Sequence, residues 1–197
     1  FASAGSAAMT YSNRLAQDLA SATIGHNGYA RAMIAASPEL GKGSLLYALE
    51  LLHNDGPFVH PDDYQKVNGV LRYSRGYANN GFSVTAMAYR GKWNATDQVP
   101  LRAVDAGALD RFDAVDPTDG GNAHRYRLSG VWRRTGSDST SKLNAYMIRN
   151  QLDLYSNFTY FLDDPVNGAQ FSQPDRRVTS GINGTHTWHT HPGGRVS

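Results

Sequence analysis

From His124 to Arg134 the side chains alternate: Tyr126, Leu128, Gly130 and Trp132 fall at even positions, Arg125, Arg127, Ser129 and Arg133 at odd ones. A helix would scatter these two sets around its circumference, whereas a strand sends them to opposite faces, one apolar and one wet. The polar run Thr135 to Thr140 then turns the chain, and Leu143, Ala145 and Met147 return with the same period, so the stretch from Ala123 to Leu154 is predicted to be a hairpin. Arginines facing Tyr, Leu and Trp across one strand fit two environments. In a soluble sandwich the wet face meets bulk water. In a barrel wall the wet face is a polar lumen and the apolar face meets lipid.

The rest of the chain repeats the pattern. Leu45, Tyr47, Leu49 and Leu51 oppose Ala48, Glu50 and Asn54; Leu71 and Tyr73 oppose Asn68, Arg72 and Ser74; Phe82, Val84, Ala86 and Ala88 oppose Ser83, Thr85, Met87 and Tyr89. Val70 and Met87 interrupt the polar side. With Leu19 to Gly25, Tyr29 to Ser37 and Arg176 to His189, eight strands are predicted after Leu19. The short connections around Pro38 to Gly43, Arg75 to Asn80 and Thr135 to Thr140 alternate with long ones at Asn54 to Lys66, Asn94 to Asn122 and Ser156 to Pro174. The compact turn at His26-Asn27-Gly28 is the exception, on the long-loop side by parity. A membrane barrel has short turns on one side and long loops on the other, a parity that a sandwich has no reason to keep. Tyr73, Trp132 and Trp188 are expected near the short-turn ends of their strands, Trp93 and Tyr155 near the long-loop ends, as two aromatic girdles.

Composition removes other classes. No run of about 18 apolar residues occurs, which excludes a transmembrane helix and nothing else. The absence of cysteine excludes disulfides and thiolate metal sites. A net charge of +2 over 197 residues leaves no basic patch, so nucleic acid is not an expected partner. No Gly-x-Ser-x-Gly elbow or phosphate loop is present, and no enzymatic activity is expected.

Several stretches together resemble the TonB-dependent outer-membrane receptors of proteobacteria: LLYALELLHNDGPF (45–58), LRYSRGYANNGFSVTAMAYRGKWNATDQVP (71–100), DPTDGG (116–121) and SNFTYFLDDPVNG (156–168). That resemblance implies an all-β fold: an antiparallel transmembrane β-barrel segment of about eight strands, from a barrel of 22 that a plug domain fills. It implies that residues 1–16 are the C-terminal end of the plug and residues 17–197 the first part of the barrel. The sequence is then a fragment, without most of the plug, the box that engages TonB and the remaining strands. The whole protein would sit in the outer membrane of a Gram-negative bacterium and import a scarce solute, such as a ferric siderophore or vitamin. Its partners would be the plug of the same chain, TonB, the small-molecule ligand and outer-membrane lipid, with no cofactor.

On this reading Glu50, Asn68, Arg72 and Arg133 face the lumen or plug. Arg125 and Arg127, nearest the outside, are candidates to contact an anionic ligand such as a ferric chelate, and Tyr160 and Phe161 are loop aromatics able to close over it. Two other chemistries are weighed. His189 and His191, two apart on a strand end, point the same way and offer a metal pair, with His186 on the other side. Asp105, Asp110, Asp113, Asp116 and Asp119, with Asp163 and Asp164, offer oxygen ligands for calcium, at a spacing unlike an EF-hand. Neither is expected to hold a metal. The alternatives are a complete eight-stranded outer-membrane barrel, structural or enzymatic, and a soluble β-rich module binding metal at the terminal histidines.

Overall fold

The structure is a computed structural model that describes residues 11–76, 80–159, 161–166 and 168–189. It is all-β and antiparallel. The strands are β1 (Leu19–Ile24), β2 (Ala30–Ala36), β3 (Glu39–Leu40), β4 (Gly43–Asn54), β5 (Tyr64–Arg75), β6 (Asn80–Asn94), β7 (Gly120–Thr135), β8 (Ser139–Ser156) and β9 (Phe171–Trp188), with one helical turn, α1 (Leu101–Asp105), between β6 and β7. They form one sheet in the order β1-β2-β4-β5-β6-β7-β8-β9, each strand hydrogen-bonded to the next in that order, while β3 folds back on β4. Eight of the nine strands follow the expected succession; the ninth, the two-residue β3, is additional and pairs only with β4. The sheet does not close: β1 and β9 lie at opposite ends of the order.

Register carries the alternation from strand to strand, because residues paired across an antiparallel ladder share a face. Tyr47, Leu71, Ala86, Leu128 and Met147 make one transverse row, and Tyr73, Val84, Gly130, Ala145 and Ile182 the next. Leu46, Arg72, Thr85, Ser129, Tyr146 and Gly181 make a row on the opposite face. The ring of Tyr146 lies over Gly181, where a Cβ would stand 2.7 Å from it, so a side chain there would displace the ring. Val70 and Met87, expected to break the pattern, are direct partners on the polar face, beside Arg127, and Leu46 and Val131 share that face.

Burial is inverted relative to a water-soluble protein. Among the described strand residues, most of the covered ones lie on the polar face: Ser44, Ser74, Ser83, Leu46, Ala35 and Arg72, which is 6% exposed, and Thr85, at 1%; Ala36, opposite Tyr47, is covered on the other face. The apolar face is open, with Leu128 56% and Ile182 75% exposed and Leu49, Leu51, Leu71, Val84, Tyr126, Trp132, Leu143, Met147 and Val178 open beside them.

Several boundaries move outward from the sequence expectation. β6 runs on to Asn94, β7 begins at Gly120 and β9 begins at Phe171, so the two longest connections shrink to 95–119 and 157–170. Pro174 lies within β9, which it can because β9 is an edge strand and the missing N–H breaks no central ladder. The run Pro38 to Gly43, read as a break, holds the two-residue β3 paired to Gly43 and Ser44. Of the expected girdles, Tyr73, Trp132, Trp188 and Tyr155 are on the apolar face, joined by Phe82, whose ring centroid lies 5.9 Å from that of Tyr73. Trp93 departs from this: its partner is Gly121, and the register places it on the polar face with Tyr89 and Thr85.

Candidate functional site

The polar face has a floor and a rim. The floor is built where residues 11–18, ahead of β1, cross the sheet. Arg72 on β5 donates through Nε and Nη2 to Asn13 Oδ1, at 3.0 and 2.8 Å, and through Nη1 to Thr85 Oγ1 on β6, at 2.6 Å. Arg127 on β7 donates to the Tyr11 hydroxyl at 2.8 Å. Both guanidinium groups also lie over the Tyr11 ring, 5.9 and 5.5 Å from its centroid. The same segment continues past β3 and β2, where Arg14 pairs with Glu39 at 2.9 Å and the Leu15 N–H donates to Ser37 Oγ at 2.9 Å. This strap lies over Arg72, which in turn covers Thr85, and so accounts for the burial of that polar pair.

Glu50 sits higher on the same face, bridging Arg31 Nε at 2.7 Å and Lys66 Nζ at 3.0 Å. Asn68 is its ladder partner. Arg125 and Arg133 share the polar face of β7 and are exposed. Of the residues expected near an anionic ligand, Arg125 is therefore open, while Arg127 is engaged by Tyr11. Phe161, in the loop 157–170, adopts a left-handed backbone (φ 58°) and packs its ring on Gly168 of the same loop. Tyr160 lies outside the described residues.

The rim consists of loops that fasten one another. The Val59 N–H donates to the Phe112 carbonyl at 2.9 Å, and Asn94 Nδ2 to the Pro61 carbonyl at 3.0 Å. Asn157 is the central tie between 95–119 and 157–170. Its N–H donates to Asp119 Oδ2 and its amide to Asp116 Oδ2, both at 3.1 Å, while Gln170 Nε2 donates to Asp119 Oδ1 at 3.0 Å. Burial pushes the Asp119 carboxyl up from its ordinary value, against the hydrogen bonds from Gln170 and Asn157. For Asp116 burial pushes the same way, but hydrogen bonds from Thr118 and Asn157 outweigh it and leave the carboxyl below its ordinary value.

The loop aspartates weighed as calcium ligands are thus partly spent on donors within the loops, and Asp113 caps the Ala114 N–H at 2.9 Å. His186 accepts or donates at Ser141 Oγ, 2.8 Å away, and stacks edge-on with Trp188; His189 meets Thr140 Oγ1 at 3.1 Å. His191 lies outside the described residues. Among the described residues, the side chains that converge with metal-ligating geometry are instead His53, Asp55 and Asp63, at the long-loop end of β4. Sequence reasoning missed these three, and also missed Tyr11, Asn13, Arg31 and Lys66. Only Lys66 and Arg31 had a usable signal, since each falls on the polar face once the register is known.

Compared with protein-family profiles, with curated proteins and with solved structures, the chain matches none.

Proposed function

We propose that the chain is part of the wall of an outer-membrane β-barrel receptor of the TonB-dependent kind, with residues 11–16 as the end of the plug lying against it. The observation that carries this reading is the inversion of burial: a continuous apolar face left open and arginine, serine and threonine covered on the other. Soluble monomers rarely expose contiguous apolar patches beyond a few hundred Å², whereas lipid rewards such a face.

The dimensions agree. On β7 the apolar positions are bounded by His124 and Arg134, ten residues apart. At about 3.4 Å per residue and a tilt of about 40–45° that gives a band about 24–26 Å tall, against about 25 Å for outer-membrane barrels. Arg90, His124, Arg149 and Arg176 edge the band at its long-loop end, where headgroup phosphates would lie, and Phe82, Trp132 and Trp188 edge it at the other. The open edges of β1 and β9 favour a segment of a larger barrel over a self-contained eight-stranded one, because lipid tolerates no unpaired strand edge.

Under this reading the protein performs no covalent chemistry. It binds a scarce solute, such as a ferric chelate or vitamin, at the rim, where Arg125 remains open to an anion, and releases it inward when TonB displaces the plug. Arg72 and Arg127 then belong to the seat of the plug.

The chain lacks cysteine, so single spin labels can be placed cleanly. In the whole protein reconstituted into lipid vesicles, a label at Leu128→Cys is expected to be relaxed by oxygen and shielded from a water-soluble nickel chelate, and one at Ser129→Cys to show the reverse. Equal access of the aqueous reagent to both positions would overturn the membrane reading. The ligand contacts are tested separately in the whole protein: ligand affinity unchanged by combined alanine substitution of Arg125, Arg127, Tyr160 and Phe161 would sink their assignment, and failure of the whole protein to bind any ferric chelate or vitamin would sink the receptor reading.

A further inference from the structure

We infer that His53, Asp55 and Asp63 form a binding site for a divalent transition-metal ion, zinc being the best fit. It would join the end of β4 to the far end of the β4–β5 loop, with the β1–β2 turn behind it through the Gly28 carbonyl. The inference rests on side-chain geometry alone and stands whether or not the sheet lies in a membrane.

Three ligand atoms converge from two segments of chain. His53 Nε2 lies 3.3 Å from Asp55 Oδ1 and 3.2 Å from Asp63 Oδ1, and the ligand atoms of all three residues lie within 4.8 Å of one another. Two ligands each about 2.1 Å from an ion are about 3.0 Å apart at a right angle and about 3.4 Å apart at the tetrahedral angle. Both observed separations fall between these values, so the imidazole and either carboxylate already span an edge of a coordination polyhedron.

The imidazole is also turned the right way. Its Nδ1 lies 2.9 Å from the Gly28 carbonyl oxygen, which can only accept, so Nδ1 carries the proton. In the neutral ring this leaves the lone pair of Nε2 directed at the two carboxylates. A carbonyl behind the distal nitrogen is the usual outer support of a metal-bound histidine. Asp63 Oδ1 accepts from Gln65 Nε2 at 2.9 Å, which orients that carboxylate in the same way.

The turn has been brought close to make this possible. Gly28 has φ +67°, and a Cβ on it would collide with the Asp55 carboxylate and stand 3.3 Å from His53 Cε1. Glycine alone lets the Gly28 carbonyl reach the ring, while the Asp55 N–H donates to the Asn27 carbonyl at 2.8 Å and locks the loop to the turn. One nitrogen and two oxygens, each side chain about a third exposed, leave room for water to complete four to six ligands. That set suits a borderline ion; calcium would require six to eight oxygens.

The alternative occupant is a proton, with an imidazolium bridging both carboxylates and no ion, and the experiment separates the two. The full 197-residue chain, folded in detergent micelles with its strand content checked by circular dichroism, is titrated with zinc at pH 7.5 by calorimetry. One micromolar site is expected, weakened at least about tenfold by His53→Gln or Asp63→Asn and unchanged by His189→Gln. Zinc should raise the midpoint of thermal unfolding in the parent chain and not in His53→Gln. If His53→Gln does not fold, Asp55→Asn decides, since it keeps the side-chain shape and removes one ligand charge. Zinc affinity indifferent to these substitutions, or no binding tighter than millimolar, overturns the site and leaves the protonated bridge.

Discussion

Tyr11 is the residue on which the polar face turns, because its ring and hydroxyl meet Arg127 while Arg72 lies over the same ring. Replacing it by Phe keeps the ring and removes one hydrogen bond to a charged group, an expected loss of about 1.5–3 kcal/mol. Tyr11→Ala also removes the cation–π contacts and should cost about 1 kcal/mol more. Unfolding in micelles by denaturant measures both, and a cycle with Arg127→Ala should show the two positions coupled; additive losses would mean that the contact contributes nothing. A second prediction concerns the loop tie. Asp116, held below its ordinary value, contributes stability that is present above its unfolded pKa of about 3.9 and lost as pH falls through its lower folded value. Asp119 has the opposite sign: raised by burial, its ionised form weakens the fold, and acidification relieves that. Asp116→Asn should therefore loosen residues 157–170 by about 1 kcal/mol at pH 7, with the difference from the parent shrinking as pH falls through the lowered folded value of Asp116. Asp119→Asn should cost less at pH 7, because it removes a buried charge and the Gln170 amide can rotate to offer its oxygen. Hydrogen exchange of the loop as a function of pH reads both. None of these partnerships was legible in the sequence, since Tyr11 and Arg127 are 116 positions apart and no local rule joins them.

At the scale of the element, β7 shows how much a period of two can say. Its two faces, its turn and its return in β8 are as the alternation predicts, and so are the faces of β4, β5 and β6. Strand ends were less legible. Hydrogen bonding continues past the last alternating apolar residue, as in β6 beyond Ala88 and β9 before Arg176, because a neighbouring strand supplies partners whatever the side chains are. Trp93 shows the related error of reading a face from residue type: tryptophan favours strands, but only register says which side it takes. The element-scale prediction follows from the faces. In lipid, Leu128→Arg should destabilise the folded sheet by about 2–4 kcal/mol, as a charge placed on the lipid side of a barrel does. Ser129→Arg, one residue on, puts its charge on the polar face and should cost less than Leu128→Arg. Folding into vesicles, followed by urea titration, distinguishes them, and equal costs would mean that the two faces see the same solvent.

For the whole molecule the decisive feature is a sheet with two free edges and its apolar side outward. β9 presents eighteen residues of backbone paired on one side only, an edge that in water invites further pairing and in lipid requires it. The apolar band, the parity of short and long connections and the succession of eight main strands were determined by the sequence itself, because each depends on neighbours one, two or a few positions apart; the ninth strand, β3, was not. Tertiary structure alone decided what covers the polar face, which loops fasten to which, and that His53, Asp55 and Asp63 meet beneath Gly28. Those contacts join residues from 2 to 116 positions apart, and the distant ones form only after register has set every strand against the next.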